Sequence, residues 1–155
     1  MRIEDYALIG DLETAALVDR NGSIDWCCFP RFDSGACFAA LLGGPEHGRW
    51  LIAPERVDAV RRAYRPETLV LDTVFEADGG VVSVTDFMPP RGDVPDIIRI
   101  VEGREGTVRM RLELVIRFDY GRIVPWVRRG GAAASSSRDP TRSASARRWT
   151  CRAAT

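Results

Sequence analysis

The sequence predicts an all-β fold, an antiparallel β-sandwich, from three observations. Short apolar segments recur roughly every ten residues between turns rich in Gly and Pro, which is typical of sandwiches. Asn21-Gly22 lies between two apolar segments and predicts a β-hairpin, because both residues tolerate the positive φ of a tight turn. Residues 108–118 alternate charged and apolar side chains, which indicates a strand with one buried face.

The hairpin comes first along the chain, with residues 14–19 and 24–29 as its strands. Residues 36–42 are compatible with one short helix, ended by two glycines and a proline. Residues 103–106 contain two glycines and predict a turn between paired strands. Residues 57–64 are ambiguous between strand and loop. The other predicted strands are residues 48–54, 69–75, 81–88, 97–102 and 108–118.

A chain of 155 residues has room for one ordinary domain. Its 22 basic residues are all Arg and are balanced by 22 acidic residues, but six Arg and one acid fall in residues 129–155. These six Arg are scattered and lack a repeated aromatic or Arg-Gly-Gly spacing, so they do not favour nucleic acid as a partner. Met1 is followed by charged residues rather than by the apolar segment of a signal peptide. No apolar run approaches the ~20 residues of a membrane helix. We therefore expect a cytoplasmic protein with neither a nucleic-acid nor a membrane partner.

The cysteines do not have the spacing of a metal site. A Cys-x-x-Cys or Cys-x-x-His pair is absent from the sequence, so the thiols are interpreted as free thiols in a reducing compartment. The single histidine, His47, is interpreted as a structural loop residue. Serines lack the Gly-x-Ser-x-Gly context of a hydrolase nucleophile, and no phosphate-binding glycine loop occurs. No metal and no cofactor are predicted.

Residues 129–155 differ in composition from the rest of the chain. They contain no Val, Ile, Leu, Met, Phe or Tyr, and they hold six Arg against a single acid, Asp139. Such a segment buries too little apolar surface to offset the entropy of ordering, so a disordered tail is predicted after a domain of residues 1–128. An Arg/Ala/Ser-rich composition is also typical of a GC-rich gene translated in a second frame. We therefore expect a frameshift or truncation near residue 129.

Two segments carry a family resemblance. Residues 3–42 read IEDYALIGDLETAALVDRNGSIDWCCFPRFDSGACFAALL, and residues 118–126 read FDYGRIVPW. Over about residues 2–128 the chain resembles the N-terminal domain of bacterial and archaeal proteins of glycoside hydrolase family 15, the glucoamylase and trehalase-like enzymes. The resemblance implies a β-sandwich that precedes a large helical catalytic barrel. It also implies an inverting hydrolase of α-glucosidic bonds in trehalose or short α-glucans, whose two catalytic glutamates lie on the barrel.

No catalytic residue is therefore predicted in this chain, because a barrel of several hundred residues does not fit before Thr155. We expect an incomplete sandwich that is inactive alone and that packs against the catalytic barrel of the parent enzyme. Three alternatives stay open: an inactive fragment, a stand-alone carbohydrate-binding module, and a subunit that works with a separately encoded barrel. An α-glucoside sugar is the expected small-molecule partner.

Four residues are the candidates for the rim of the sugar pocket or for the interface with the barrel. They are Asp25, Trp26, Arg31 and Asp33. In this interpretation Arg31 and Asp33 hydrogen-bond the barrel or a sugar hydroxyl. The alternative is local, with Asp33 and Ser34 capping the segment that follows and Arg31 pairing with Asp25 or Asp33.

Tryptophan side chains are a further feature of a carbohydrate-binding module, where they would stack on sugar rings. Trp26, Trp50 and Trp126 are the candidates for such stacking. In a β-sandwich, tryptophans are more often part of the core or of an interface.

Overall fold

The computed structural model describes residues 2–130, 133–137 and 147–152, with side chains up to residue 125. The predicted all-β, antiparallel fold is confirmed: the described residues form twelve strands and three short 3-10 turns, and no α-helix occurs among them. None of the helical segments in these ranges is long and apolar enough to span a membrane. The strands are β1 Ala7–Gly10, β2 Ala15–Val18, β3 Ser23–Cys28, β4 Ala36–Phe38, β5 Arg49–Pro54, β6 Ala59–Tyr64, β7 Leu71–Ala77, β8 Gly80–Phe87, β9 Ile98–Val115, β10 Trp126–Gly130, β11 Ala133–Ser137 and β12 Arg147–Arg152.

Ten of these strands form one curled antiparallel sheet. Its main order is β1-β2-β3-β5-β9-β8-β7-β6, while β4 adds to β3 and β12 adds to β9. β9 belongs to both halves of the curl, since its first part pairs with β8 and its second part pairs with β5. The two halves therefore face each other as the layers of a sandwich do, joined through one long strand.

The predicted turn at residues 103–106 is wrong, because β9 runs through it as an 18-residue strand. The glycines instead allow the backbone of β9 to pass very close to the backbone of Gly79 and Gly80. A Cβ on Gly106 would lie 2.1 Å from the Gly79 carbonyl oxygen, and one on Gly80 would lie 2.0 Å from the Glu105 carbonyl oxygen. The register of β8 against β9 also shifts near this point. Glycine-rich sequence thus marks the place where the strand passes from one half of the sheet to the other.

Two clusters of buried side chains fill the space between the halves. Ile9, Ile24 and Leu71 belong to one cluster, and Phe75 and Met110 belong to the other. Each fully buried side chain of this size contributes about 1.5–3 kcal/mol through removal of apolar surface from water. Since each cluster takes residues from both halves, burial of apolar surface is what holds the curl closed.

Two elements differ from the prediction near the candidate loop. Residues 36–42 form β4 followed by a 3-10 turn, Ala40–Leu42, rather than a short helix. The reason is that Ala36 and Phe38 pair with β3, so the backbone is used by the sheet, and all three β4 residues are buried. β1 was not predicted, and the ambiguous residues 57–64 contain β6.

The two free edges of the curl, β1 and β6, are joined by side chains. The Tyr64 hydroxyl accepts a hydrogen bond from the Leu8 amide and donates one to the Leu8 carbonyl, each at 2.8 Å. The Arg62 guanidinium donates to the carbonyl oxygens of Val18 at 3.1 Å and Asp5 at 2.8 Å. The two bonds of Tyr64 occupy backbone groups of Leu8 that the exposed edge of β1 would otherwise offer to another chain.

The predicted disordered tail of residues 129–155 stays a prediction. Residues 131–132, 138–146 and 153–155 lie outside the described residues. Within the same range β11 pairs with β10, and β12 pairs with β9. These two pairings were not predicted, because the segment lacks the apolar alternation by which a strand is recognised.

A fully buried ion pair, Asp86–Arg99, links the two halves of the sheet. Both side chains have no exposed surface, and the guanidinium donates to both carboxylate oxygens, at 2.8 and 3.1 Å. It also donates to the carbonyl oxygens of Trp50 on β5 and Gly22 in the first hairpin, and it lies 5.3 Å from the centroid of the Trp50 ring. The guanidinium thus has three hydrogen-bonding partners and both carboxylate oxygens are paired with it, which buried charges require.

Asp86→Ala should lower the free energy of unfolding by about 3–5 kcal/mol, because it leaves the Arg99 guanidinium buried without a counter-charge. Urea denaturation followed by tryptophan fluorescence measures the change. Arg61→Ala is the control, since it breaks an exposed pair with Glu76 and should change stability little. Equal effects of the two substitutions would contradict the role given to Asp86.

Candidate functional site

Asp25 is held on β3 by two hydroxyl groups. Its carboxylate accepts hydrogen bonds from the Tyr6 hydroxyl at 2.9 Å and from the Ser23 hydroxyl. Burial and the hydrogen bond with Asp25 raise the pKa of Tyr6 above its ordinary value. The phenol therefore stays protonated and keeps its role as a donor to the carboxylate.

A small cleft of about 200 Å³ opens beside this pair. Tyr6, Asp25 and Arg49 contribute its polar side chains, and Gly43 and Gly44 contribute backbone to its wall. Arg49 is oriented by Glu113, which accepts hydrogen bonds from Nε at 3.0 Å and from a terminal nitrogen at 2.9 Å. A carboxylate, a phenol and a guanidinium around a shallow space can each hydrogen-bond the hydroxyl groups of a polyol.

Trp26 lies away from this cleft. Neighbouring side chains of a strand point to opposite faces, and Trp26 packs against the small buried cluster of Cys28, Ala36 and Ala39. Its ring centroid is 5.8 Å from that of Tyr120, with the planes tilted by 41°. The structure therefore does not bring Asp25 and Trp26 together in one site.

Arg31 and Asp33 lie in the loop between β3 and β4, where they pair with each other at 3.4 Å and are largely exposed. This is the local pairing that the sequence offered as an alternative. The other part of that alternative, a cap by Asp33 and Ser34, is wrong, because the segment begins with β4 rather than with a helix. The Ser34 hydroxyl instead accepts a hydrogen bond from the Arg31 amide at 3.1 Å within the loop.

A second turn, residues 11–14 between β1 and β2, contacts the candidate loop and was missed by the sequence analysis. The Phe32 amide donates to the Glu13 carbonyl at 3.1 Å. The buried Asp11 carboxylate accepts from the amides of Glu13 at 3.0 Å and Thr14 at 2.8 Å, and Arg91 donates to it at 3.0 Å. Arg91 is 80 residues away in sequence, so no local pattern could have indicated this pair.

A second, larger cleft of about 560 Å³ was also not predicted. It lies at the far end of the sheet between the β7–β8 turn and β9, and its charged lining residues are Glu55, Arg56, Asp78 and Arg109. Glu55 and Arg109 form an ion pair at 3.9 Å. None of the four candidate residues lies there.

The remaining chemical candidates have structural roles. Cys27, Cys28 and Cys37 are free and buried, and the hydrogen bond with the Cys37 thiol, together with burial, raises the pKa of Cys27. Within the described ranges no group of His, Cys, Asp or Glu side chains could hold a metal ion. Trp50 packs against both core clusters, whereas the side chains of Trp126 and Cys151 lie outside the described residues.

Asp11→Asn should destabilise the protein at neutral pH by about 1–3 kcal/mol, the usual cost of losing hydrogen bonds to a charged group. Burial opposes ionisation of Asp11, but the amides of Thr14 and Glu13 and the charge of Arg91 lower its pKa from the ordinary 3.8. A lowered pKa gives stability above the unfolded-state pKa that is lost as the pH falls.

The difference between the wild type and Asp11→Asn should therefore shrink between about pH 5 and about pH 2. Urea denaturation across this range measures it. Asp33→Asn, at an exposed carboxylate of the neighbouring loop, is the matched control and should show little difference at any pH. A difference in the free energy of unfolding between the wild type and Asp11→Asn that stays constant with pH would contradict the lowered pKa of Asp11.

Comparisons with known proteins agree on one family. Residues 1–144 match the family described as "Trehalase-like, N-terminal". The chain is 34% identical over 131 residues to a trehalase of Thermoplasma volcanium, covering 80% of this chain and 21% of that protein. It is 35% identical to trehalase 2 of Sulfolobus acidocaldarius, covering 77% and 19%, and 32% identical to a trehalase of Mycolicibacterium smegmatis, covering 89% and 24%. The chain thus spans about a fifth of the length of these relatives, and no solved structure matches it.

Proposed function

This chain belongs to the trehalase-like N-terminal family, and from that premise we propose that it is the accessory domain of a family 15 glycoside hydrolase. The parent enzyme would hydrolyse α-glucosidic bonds in trehalose or short α-glucans. The partner of the domain would be the catalytic barrel of that enzyme, and its role would be to pack against the barrel and shape the entrance to the pocket.

The coverage of the relatives carries this proposal. Trehalases match most of this chain, while the chain accounts for only 19–24% of their length. Hydrolysis with inversion needs one carboxylate that activates water and one carboxylic acid that protonates the leaving oxygen. In the proposal both groups belong to the remaining four-fifths of such a protein.

Arg31 and Asp33 are proposed as polar contacts with the barrel or with a sugar hydroxyl at its entrance. Their loop is tied to the 11–14 turn through the Phe32 amide, so the exposed ion pair is presented from two connected turns. An exposed ion pair contributes little to the stability of the fold. Arg31 and Asp33 could therefore separate on docking and each bind a polar group of the partner.

The purified chain should release no glucose from trehalose, maltose or maltotriose above a control without protein. The reason is that the two carboxyl groups required for hydrolysis are assigned to the barrel. A coupled glucose assay measures the release, with the trehalase of M. smegmatis as the positive control. Glucose release that scales with the concentration of the purified chain would overturn the assignment.

A stand-alone carbohydrate-binding module is the second candidate function. The cleft beside Tyr6, Asp25 and Arg49 supports it, because these groups match the hydrogen-bonding needs of sugar hydroxyls. The half-exposed Trp26–Tyr120 pair offers an aromatic surface on the other face of β3.

This second function predicts a saturable heat on titration of the chain with maltotriose. Asp25→Asn should weaken the binding by about tenfold, since it replaces a charged acceptor in the cleft by a neutral one. Asp58→Asn is the matched control and should leave the titration unchanged, because Asp58 is exposed and lies outside the cleft. A titration without heat would reject the module and leave the accessory domain.

A further inference from the structure

Leu12 has an unusual conformation at an exposed position. It is the first of the two central residues of the β1–β2 turn, its φ is +76°, and 92% of its surface is exposed. A positive φ at this position of a tight hairpin turn favours glycine, because the Cβ of other residues crowds the backbone. The side chain therefore gains no burial in this domain to offset the strain.

The same end of the sheet carries a second exposed apolar side chain. Phe32 is 62% exposed, and its amide is hydrogen-bonded to the carbonyl of Glu13, the neighbour of Leu12. Val94, which is 63% exposed, lies in the loop whose Arg91 pairs with Asp11. The three residues thus lie on connected loops, and exposed apolar side chains grouped on one surface are typical of an interaction site.

Charged groups surround this apolar pair. The exposed Arg31–Asp33 pair flanks Phe32 in sequence and in the loop, and Glu13 follows Leu12. An apolar centre with a charged rim is the usual anatomy of a protein–protein interface. The turn that presents Leu12 is rigid, since the buried Asp11 carboxylate holds the amides of Glu13 and Thr14.

We propose that Leu12 and Phe32 form the centre of the surface on which the rest of a trehalase-type protein docks. The docking partner is the part of such a protein that lies outside the N-terminal domain, which is about four-fifths of the length of the relatives. The assignment rests on the proposed function and adds to it the face and the residues of contact. Docking would bury both side chains, and the burial of Leu12 would offset the free-energy cost of its positive φ.

Co-expression tests the assignment. The full 155-residue chain, carrying an affinity tag, is produced together with the part of the M. smegmatis trehalase that lies beyond the matched region. The amount of that part retained with the tagged chain is measured for the wild type and for Leu12→Gly, Phe32→Ser and Val57→Ser. Val57 is the control, since it is an exposed apolar residue between β5 and β6, at the other end of the sheet.

Retention should fall about tenfold or more for Leu12→Gly and for Phe32→Ser, as it does for central interface residues, and should stay at the wild-type level for Val57→Ser. Thermal denaturation of each isolated variant accompanies the experiment. Leu12→Gly should raise the melting temperature by about 2 °C, because it relieves the positive φ. A substitution that stabilises the domain while removing the partner identifies a docking residue.

The possible failures are distinct. No retention by the wild-type chain would overturn both the accessory function and the docking surface. Equal retention by the wild type, Leu12→Gly and Phe32→Ser would overturn the docking surface alone. Loss of retention that occurs only with a lowered melting temperature in both variants would be unfolding, and would likewise reject the assignment.

Discussion

The buried Asp86–Arg99 pair is the interaction on which the rest of the structure depends. Arg99 lies on β9, the strand shared by both halves of the sheet, and its guanidinium reaches the carbonyl oxygens of Gly22 and Trp50. The first hairpin, β5 and β8 therefore meet at one fixed charge. Because both ions are fully buried, removing either partner leaves an uncompensated charge rather than a hydrated one. The geometry of the curl is set at this pair.

Closure of the sheet has a consequence for where function can lie. Arg62 and Tyr64 on β6 hydrogen-bond backbone groups of Leu8, Val18 and Asp5, so side chains join the two ends of the strand order. The 11–14 turn and the 29–35 loop then meet at one end, with Leu12, Phe32, Arg31 and Asp33 exposed. A surface built from turns on a rigid sheet can change in sequence without loss of the core.

Local sequence signals predicted the fold class and the Asn21-Gly22 hairpin, since both depend on neighbours in the chain. The turn itself differs from the prediction, because only Gly22, at +79°, has a positive φ. The same reasoning failed at residues 103–106, because glycine is needed both for turns and for close backbone approach, and only the partner Gly79-Gly80 distinguishes the two. The helix expected at residues 36–42 failed because pairing with β3 overrides a weak local preference. In the candidate site, Arg31 and Asp33 were proposed from the loop motif and stay a prediction, whereas Asp11 and Arg91 are joined only by the fold.

The strain at Leu12 and the charge network at Asp11 act on the same turn. A left-handed conformation costs a residue such as leucine about 1–2 kcal/mol, and the turn contains no apolar contact that offsets this cost. Hydrogen bonds to a buried charged group contribute about 1.5–3 kcal/mol each, and Asp11 accepts them from Glu13, Thr14 and Arg91. The free energy contributed by these hydrogen bonds therefore exceeds the cost of the left-handed conformation at Leu12. Stability supplied by one residue allows its neighbour to be selected for contact with a partner rather than for its own fit to the turn.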